Sequence, residues 1–148
     1  MTTAETPRLG LDDQICFSLY RASRALTNRY RALLRPLGVT YPQYLVLLVL
    51  WEAGTVSVAT LGARLQLDSG TLSPLLRRLE TNDVVTRVRS STDERSVLVG
   101  LTPHGEKLRE LASDIPESVC LATGLAPAPL IALQKQVSAL ADSVTTSL

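Results

Sequence analysis

The chain has 148 residues, 45% of them hydrophobic and 20% charged, which bounds it to about one globular domain with its own core. A formal net charge of +1 announces no nucleic-acid binder by composition alone, and no apolar run approaches the ~20 residues of a membrane span. One histidine and two scattered cysteines make no zinc set, so no metal and no other cofactor is expected. Cys16 and Cys120 form no C-x-x-C pair and follow no secretory signal, which reads as thiols of a reducing cytoplasm rather than a disulfide scaffold.

In chain order, residues 1–10 read as a loose arm. Residues 12–35 read as a helix with acids in its first turn, ended by Pro36-Leu37-Gly38. Thr40 and Gln43 have the spacing of a capping box, and the apolar helix that follows runs to about Ala53, stopped at Gly54. Ser57 caps a short third helix (VATLGARLQ), and a turn at Leu67-Asp68 leads into a fourth, SGTLSPLLRRLETN. The period then changes: residues 84–89 and 96–99 are β-branched and alternating, joined by SSTDER in the manner of a hairpin. Thr102-Pro103 starts a helix expected to reach Cys120 with a kink at Pro116, and a last helix follows Pro127. The fold class is therefore mainly α with a small β-hairpin wing. A winged helix-turn-helix over residues 40–101 is flanked by helical segments, 11–37 and 102–148, that are expected to pair with a second copy.

Positive charge is concentrated ahead of residue 96, with Arg21, Arg24, Arg29, Arg31 and Arg35 free of acids over residues 21–35. A solvated, salt-bridged surface accounts for such charge as well as a nucleic-acid face does. In the fourth helix Leu72, Leu75, Leu76 and Leu79 share one face, while Ser69, Thr71, Ser73, Arg77 and Arg78 supply hydroxyls and arginines suited to phosphates and base edges. Pro74 leaves two readings open: a helix that tolerates a proline near its start, or one that begins at Ser73. At the hairpin tip Arg95 suits a narrow minor groove, and Asp93 can hold its guanidinium by a bidentate pair.

From the first helix through TLSPLLRRLE, the D-E-R wing and LTPHG, the sequence resembles the MarR family of dimeric winged-helix repressors. Cys16 in ICFSLY, Tyr30 in NRYRALL and Tyr41 in VTYPQY make it most similar to the organic-hydroperoxide-sensing branch of that family, the OhrR type. The resemblance implies operator DNA and a second copy as partners, an organic hydroperoxide as inducer, and no enzymatic activity. It also implies that Tyr30 and Tyr41 of one subunit donate hydrogen bonds to the Cys16 sulfur of the other. Cys120 stands where the two-cysteine subgroup carries its resolving cysteine; it is otherwise a buried helix residue or an unused thiol, with a small-molecule thiol doing the resolving.

Heptad spacing is consistent with this arrangement. Cys16, Ser23, Tyr30 and Leu37 recur every seven residues with Leu19, Leu26 and Leu33 between them, a helix-pairing seam. Cys16 and Tyr30 are ~21 Å apart along one helix, yet symmetric about Ser23, so an antiparallel crossing there would set one against the other. A cysteine in such a seam reads as packing by itself; with both tyrosines in register it reads as chemistry. Phenol donors and a helix N-terminus favour a thiolate, which Asp12 and Asp13 oppose, and Tyr20 one turn on would wall the pocket or pack.

Three rival readings remain. A MarR-type repressor of a small apolar or phenolic ligand would not require the cysteine and tyrosine set. A thiol peroxidase needs a βαβ scaffold and a Pro-x-x-x-Thr/Ser-x-x-Cys motif, whose positions here hold Leu9 and Asp13. A helical interaction module leaves the wing unexplained.

Overall fold

The computed structural model describes residues 8–147; the N-terminal arm expected over residues 1–10 lies mostly outside the described residues. The chain divides into two compact units, Met1–Ser113 and Asp114–Leu148. The first contains a 3-10 turn (Leu11–Asp13), α1 (Ile15–Leu34), a second 3-10 turn (Arg35–Leu37), α2 (Tyr41–Ala53), β1 (Val56–Ser57), α3 (Val58–Leu65), α4 (Ser69–Thr81), β2 (Val85–Arg89), β3 (Val97–Leu101) and α5 (Pro103–Leu111). The second contains α6 (Ile115–Thr123) and α7 (Pro127–Thr146).

The first unit is organised by local stop and start signals around one leucine-rich core. Gly38, in the left-handed region at φ 68°, turns the chain after α1. The capping box then starts α2, with Gln43 N–H donating to Thr40 Oγ1 at 3.4 Å and Thr40 N–H donating to Gln43 Oε1 at 2.9 Å. α2 is apolar on every side and buries Tyr44, Val46, Leu47, Val49 and Leu50, which makes it the central helix of the unit. Leu61 of α3 and Leu72, Leu76 and Leu79 of α4 complete the core from the helix-turn-helix side, as the leucine face of α4 predicts; Leu75 is only half-buried.

β2 and β3 form the expected hairpin, antiparallel with Arg87 opposite Val99. A third strand was not expected. β1 is two residues long and pairs with the far side of β3, Val56 opposite Val99, so the sheet order is β1-β3-β2.

Two expectations require correction, at the start of α1 and after α5, and the open choice at Pro74 is resolved. α1 does not start at Asp12: Asp12 and Asp13 occupy a separate 3-10 turn, and Gln14 follows in extended backbone (φ −89°, ψ 115°), so the first turn of α1 carries no acid. The Gln14 side chain folds back instead, Nε2 donating to the carbonyls of Arg8 at 2.8 Å and Gly10 at 3.2 Å. α4 does begin at Ser69, with Pro74 inside the helix, because Asp68 accepts the Thr71 N–H and fixes the first turn ahead of the proline. The helix after Thr102 ends at Leu111, and a separate helix starts at Ile115 with Pro116 in its first turn, where a missing N–H costs nothing.

In the second unit no residue of α7 is buried, and Ile131, Leu133, Val137, Leu140 and Val144 are exposed along it. No single helix among the described residues is long and apolar enough to cross a membrane.

Candidate redox centre and nucleic-acid interface

Cys16 is the second residue of α1 and is exposed, so within its own chain it is not a packing residue. Because Gln14 is extended, the first intrahelical bond runs from Ser18 N–H to the Gln14 carbonyl, leaving the first-turn amides of α1 unpaired and the positive end of its dipole at the thiol. Asp12 and Asp13 stand in the preceding 3-10 turn rather than in the first turn of α1 itself. Tyr20, one turn on, is 57% exposed, and its ring lies under Arg24, whose Cζ is 5.5 Å from the centroid.

At the other end of α1 the Gly38 turn folds α2 back so that Tyr30 and Tyr41 meet, ring centroids 4.6 Å apart. Tyr44 joins them at 5.7 Å from Tyr30, and Trp51 meets Tyr44 edge-on at 6.2 Å. Burial raises the Tyr41 phenol above its ordinary value; burial and then Tyr41 do the same to Tyr44. These phenols therefore remain protonated, as O–H donors, at neutral pH. Tyr30 and Tyr41 thus form one donor cluster, while Cys16 stands fourteen residues along α1 from Tyr30, ~21 Å by helical rise. Sequence reasoning missed Tyr44 as a member. The signal was there: Tyr41, Tyr44 and Trp51 lie at i, i+3 and i+10, a single stripe on α2.

The second cysteine, Cys120, sits in α6 and is exposed rather than buried. It borders an apolar hollow of about 370 Å³ between α6 and α7, with Leu121, Leu125, Leu130 and Ile131.

On the helix-turn-helix face, Ser69, Thr71, Arg77 and Arg78 are exposed along α4, and Ser73 is half-buried. Between α4 and the wing runs a groove of about 390 Å³ whose walls include Ser69, Ser73, Arg87 and Arg95. Arg87 does not project freely: its Nε donates to Glu80 Oε2 at 3.1 Å, tying β2 to the end of α4, and this bond holds the Glu80 carboxyl below its ordinary value. The wing tip differs from expectation in one contact. Asp93 Oδ1 accepts the backbone N–H of Arg95 at 3.0 Å, and no ion pair joins the two side chains. The reason is local: two residues after an aspartate, the backbone amide closes an Asx turn, so the carboxylate shapes the loop and leaves the Arg95 guanidinium to the groove.

Asp68 fixes the start of α4 by accepting Thr71 N–H at 2.7 Å, and that bond holds its carboxyl below the usual aspartate value. With the folded value depressed, the stabilising contribution is present above the ordinary aspartate pKa and is lost as pH falls through the lowered one. Asp68→Asn keeps an oxygen acceptor but cannot titrate. Its thermal midpoint should therefore fall less between pH 6 and pH 3 than that of the wild type; an equal fall would mean the cap carries no linkage.

Against known proteins, the family described as transcriptional regulator SarA/Rot matches residues 29–115. The organic hydroperoxide resistance transcriptional regulator of Bacillus subtilis (strain 168) is 52% identical over 109 residues, 74% of this chain and 74% of that protein. Among solved structures, reduced AbfR bound to DNA, from Staphylococcus epidermidis, has a TM-score of 0.77 at 32% identity, covering 91% of this chain and 94% of that one. BpsR of Bordetella bronchiseptica, whose DNA binding is regulated by 6-hydroxynicotinic acid, has a TM-score of 0.82 at 25% identity, covering 91% and 98%.

Proposed function

The chain belongs to the SarA/MarR-like family of winged-helix transcriptional regulators and is an OhrR-like member of it; on that premise we propose that it is a homodimeric repressor released from operator DNA when an organic hydroperoxide oxidises Cys16. The observation that carries this reading is the split site. One end of α1 bears an exposed thiol at a helix N-terminus, and the other bears the Tyr30–Tyr41 pair of phenol donors. Neither half is useful alone, and an antiparallel crossing of two α1 helices near Ser23 joins them twice in one dimer. Exposed Leu11 and Ile15 ahead of and beside Cys16, and the uncovered apolar residues of α7, are surfaces that a second copy would bury.

In the chemistry, the Cys16 thiolate attacks the terminal oxygen of the hydroperoxide. An S–O bond forms as the O–O bond breaks; the sulfur loses two electrons to become a sulfenic acid, and the alkoxide takes a proton and leaves as the alcohol. Tyr30 and Tyr41 of the partner subunit hold the thiolate by hydrogen bonds. Cys120 is the resolving thiol: its sulfur displaces the sulfenic oxygen, giving a disulfide and water. DNA is read by Thr71, Arg77 and Arg78 of α4 with Ser69 and Ser73 toward the phosphates, and by Arg95 at the wing, whose loop Asp93 shapes.

The test is anisotropy of labelled duplex from upstream of the chain's own gene, at fixed salt, before and after tert-butyl hydroperoxide. Wild type should lose the duplex and regain it with dithiothreitol, and Cys120→Ser should lose it without forming a cross-linked dimer on a non-reducing gel. Binding indifferent to peroxide but relieved by a phenolic acid would replace this reading with a small-ligand repressor, the behaviour the BpsR likeness favours.

A further inference from the structure

The tyrosine cluster does not end at Tyr44. α2 carries Tyr41, Tyr44 and Trp51 along one stripe, so the ring contacts continue from Tyr30 to a half-buried indole ~15 Å further along the helix. There the Trp51 Nε1–H donates to the Gly105 carbonyl at 3.0 Å, in the first turn of α5. Gly105 is itself pressed against the base of the wing, leaving no room for a Cβ beside the Val84 carbonyl, one residue before β2. Thr102 completes the joint. Its N–H donates to the Val84 carbonyl at 3.1 Å, its hydroxyl donates to the Asp83 carbonyl, and its oxygen accepts the Gly105 N–H at 3.0 Å. A continuous series of close contacts thus runs from the phenols to the root of the wing.

We propose that Trp51 is the positioning residue that transmits the state of the Tyr30–Tyr41 cluster to the wing, through its hydrogen bond to Gly105. This rests on the redox reading above and deepens it by naming how the sensor reaches the DNA-reading elements. The physical argument is one of slack. α2 is a 13-residue helix, rigid over this span, with the sensor phenol Tyr41 at one end and Trp51 near the other. A change at the Tyr41 hydroxyl that tilts or shifts α2 displaces the indole. At its far end the indole grips a backbone carbonyl of a residue already in tight contact with Val84, so the displacement has no soft side chain to absorb it. Arg87, on β2, and Arg95, in the loop between β2 and β3, flank the α4 groove, and both are carried by the hairpin that this joint anchors.

Trp51 is the single tryptophan of the chain, so its emission reports the joint directly in the full-length protein. In wild type, tert-butyl hydroperoxide should shift that emission with the same time course as loss of the labelled duplex, and Cys16→Ser should show neither. Trp51→Phe keeps an aromatic ring against Tyr44 and removes the N–H donor. It should bind the duplex when reduced as wild type does, while the peroxide-induced loss of affinity shrinks by about tenfold. Release of the duplex by Trp51→Phe to the wild-type extent would overturn the proposal. So would wild-type release with unchanged emission, and so would a Trp51→Phe protein that has lost reduced-state binding, since that is a merely structural role. A wild type that never releases its duplex would instead remove the redox reading itself.

Discussion

Cys16→Ser is expected to bind its duplex equally well before and after an organic hydroperoxide, whereas wild type loses affinity by about a hundredfold, toward the upper end of typical allosteric couplings. The serine hydroxyl is a small polar replacement for the thiol that offers no sulfur to oxidise. Cys16 is exposed within its own chain but faces the partner's tyrosines in the proposed dimer, so retained duplex binding by reduced Cys16→Ser is the control that separates lost response from lost folding. Tyr30→Phe and Tyr41→Phe provide the graded control, because each removes one O–H and preserves the ring stack at 4.6 Å. Each should retain reduced-state binding and release the duplex more slowly at a given peroxide concentration. Anisotropy followed in time separates these outcomes. If Cys16→Ser still releases its duplex, Cys120 or a ligand is the trigger and the split site at the ends of α1 has no sensing role.

What the sequence disclosed, and what it withheld, follows the range over which each feature is determined. Thr40 with Gln43, Ser57 and Thr102 were legible as caps because a cap is a contract within four residues, and each makes the expected bond. The leucine face of α4 was legible in the same way, through period alone. β1 was not: two residues carry no periodic signal, and Val56 becomes a strand only because Val99 of β3 offers it an edge. The break between α5 and α6 was hidden because Pro116 fits a kink and a first turn equally well. At the site, Tyr30 and Tyr41 were grouped only as donors to the Cys16 of a second subunit, whereas their contact with each other has an internal cause, the left-handed turn at Gly38 that brings α2 back onto α1. Asp93 was given the wrong partner for a related reason: short aspartate contacts are decided by the backbone of the turn before any side chain competes.

Gly105→Ala is the substitution expected to cost the most stability at the joint between α5 and the wing. In a helix, alanine is favoured over glycine by up to about 1 kcal/mol, so propensity alone forecasts a gain. Geometry opposes it. A Cβ at Gly105 would be driven into the Val84 carbonyl, a backbone atom that no rotamer change can withdraw, and would lie 3.0 Å from Leu101 Cδ2. Relief requires the first turn of α5 to lift away, which strains the bonds from Thr102 to Asp83 and Val84 and the Trp51 bond to Gly105. Overpacking of this kind costs about 1–3 kcal/mol, which exceeds the propensity gain, so the net sign is destabilising. Urea unfolding should show a lower midpoint at unchanged slope, the mark of a stability change rather than a change in compactness. Because the displaced turn anchors β2, affinity of the reduced protein for its duplex should fall as well, at temperatures where it is still folded. An unchanged or higher midpoint would mean that α5 slides freely past Val84, and the wing would then have no rigid root at which oxidation could act.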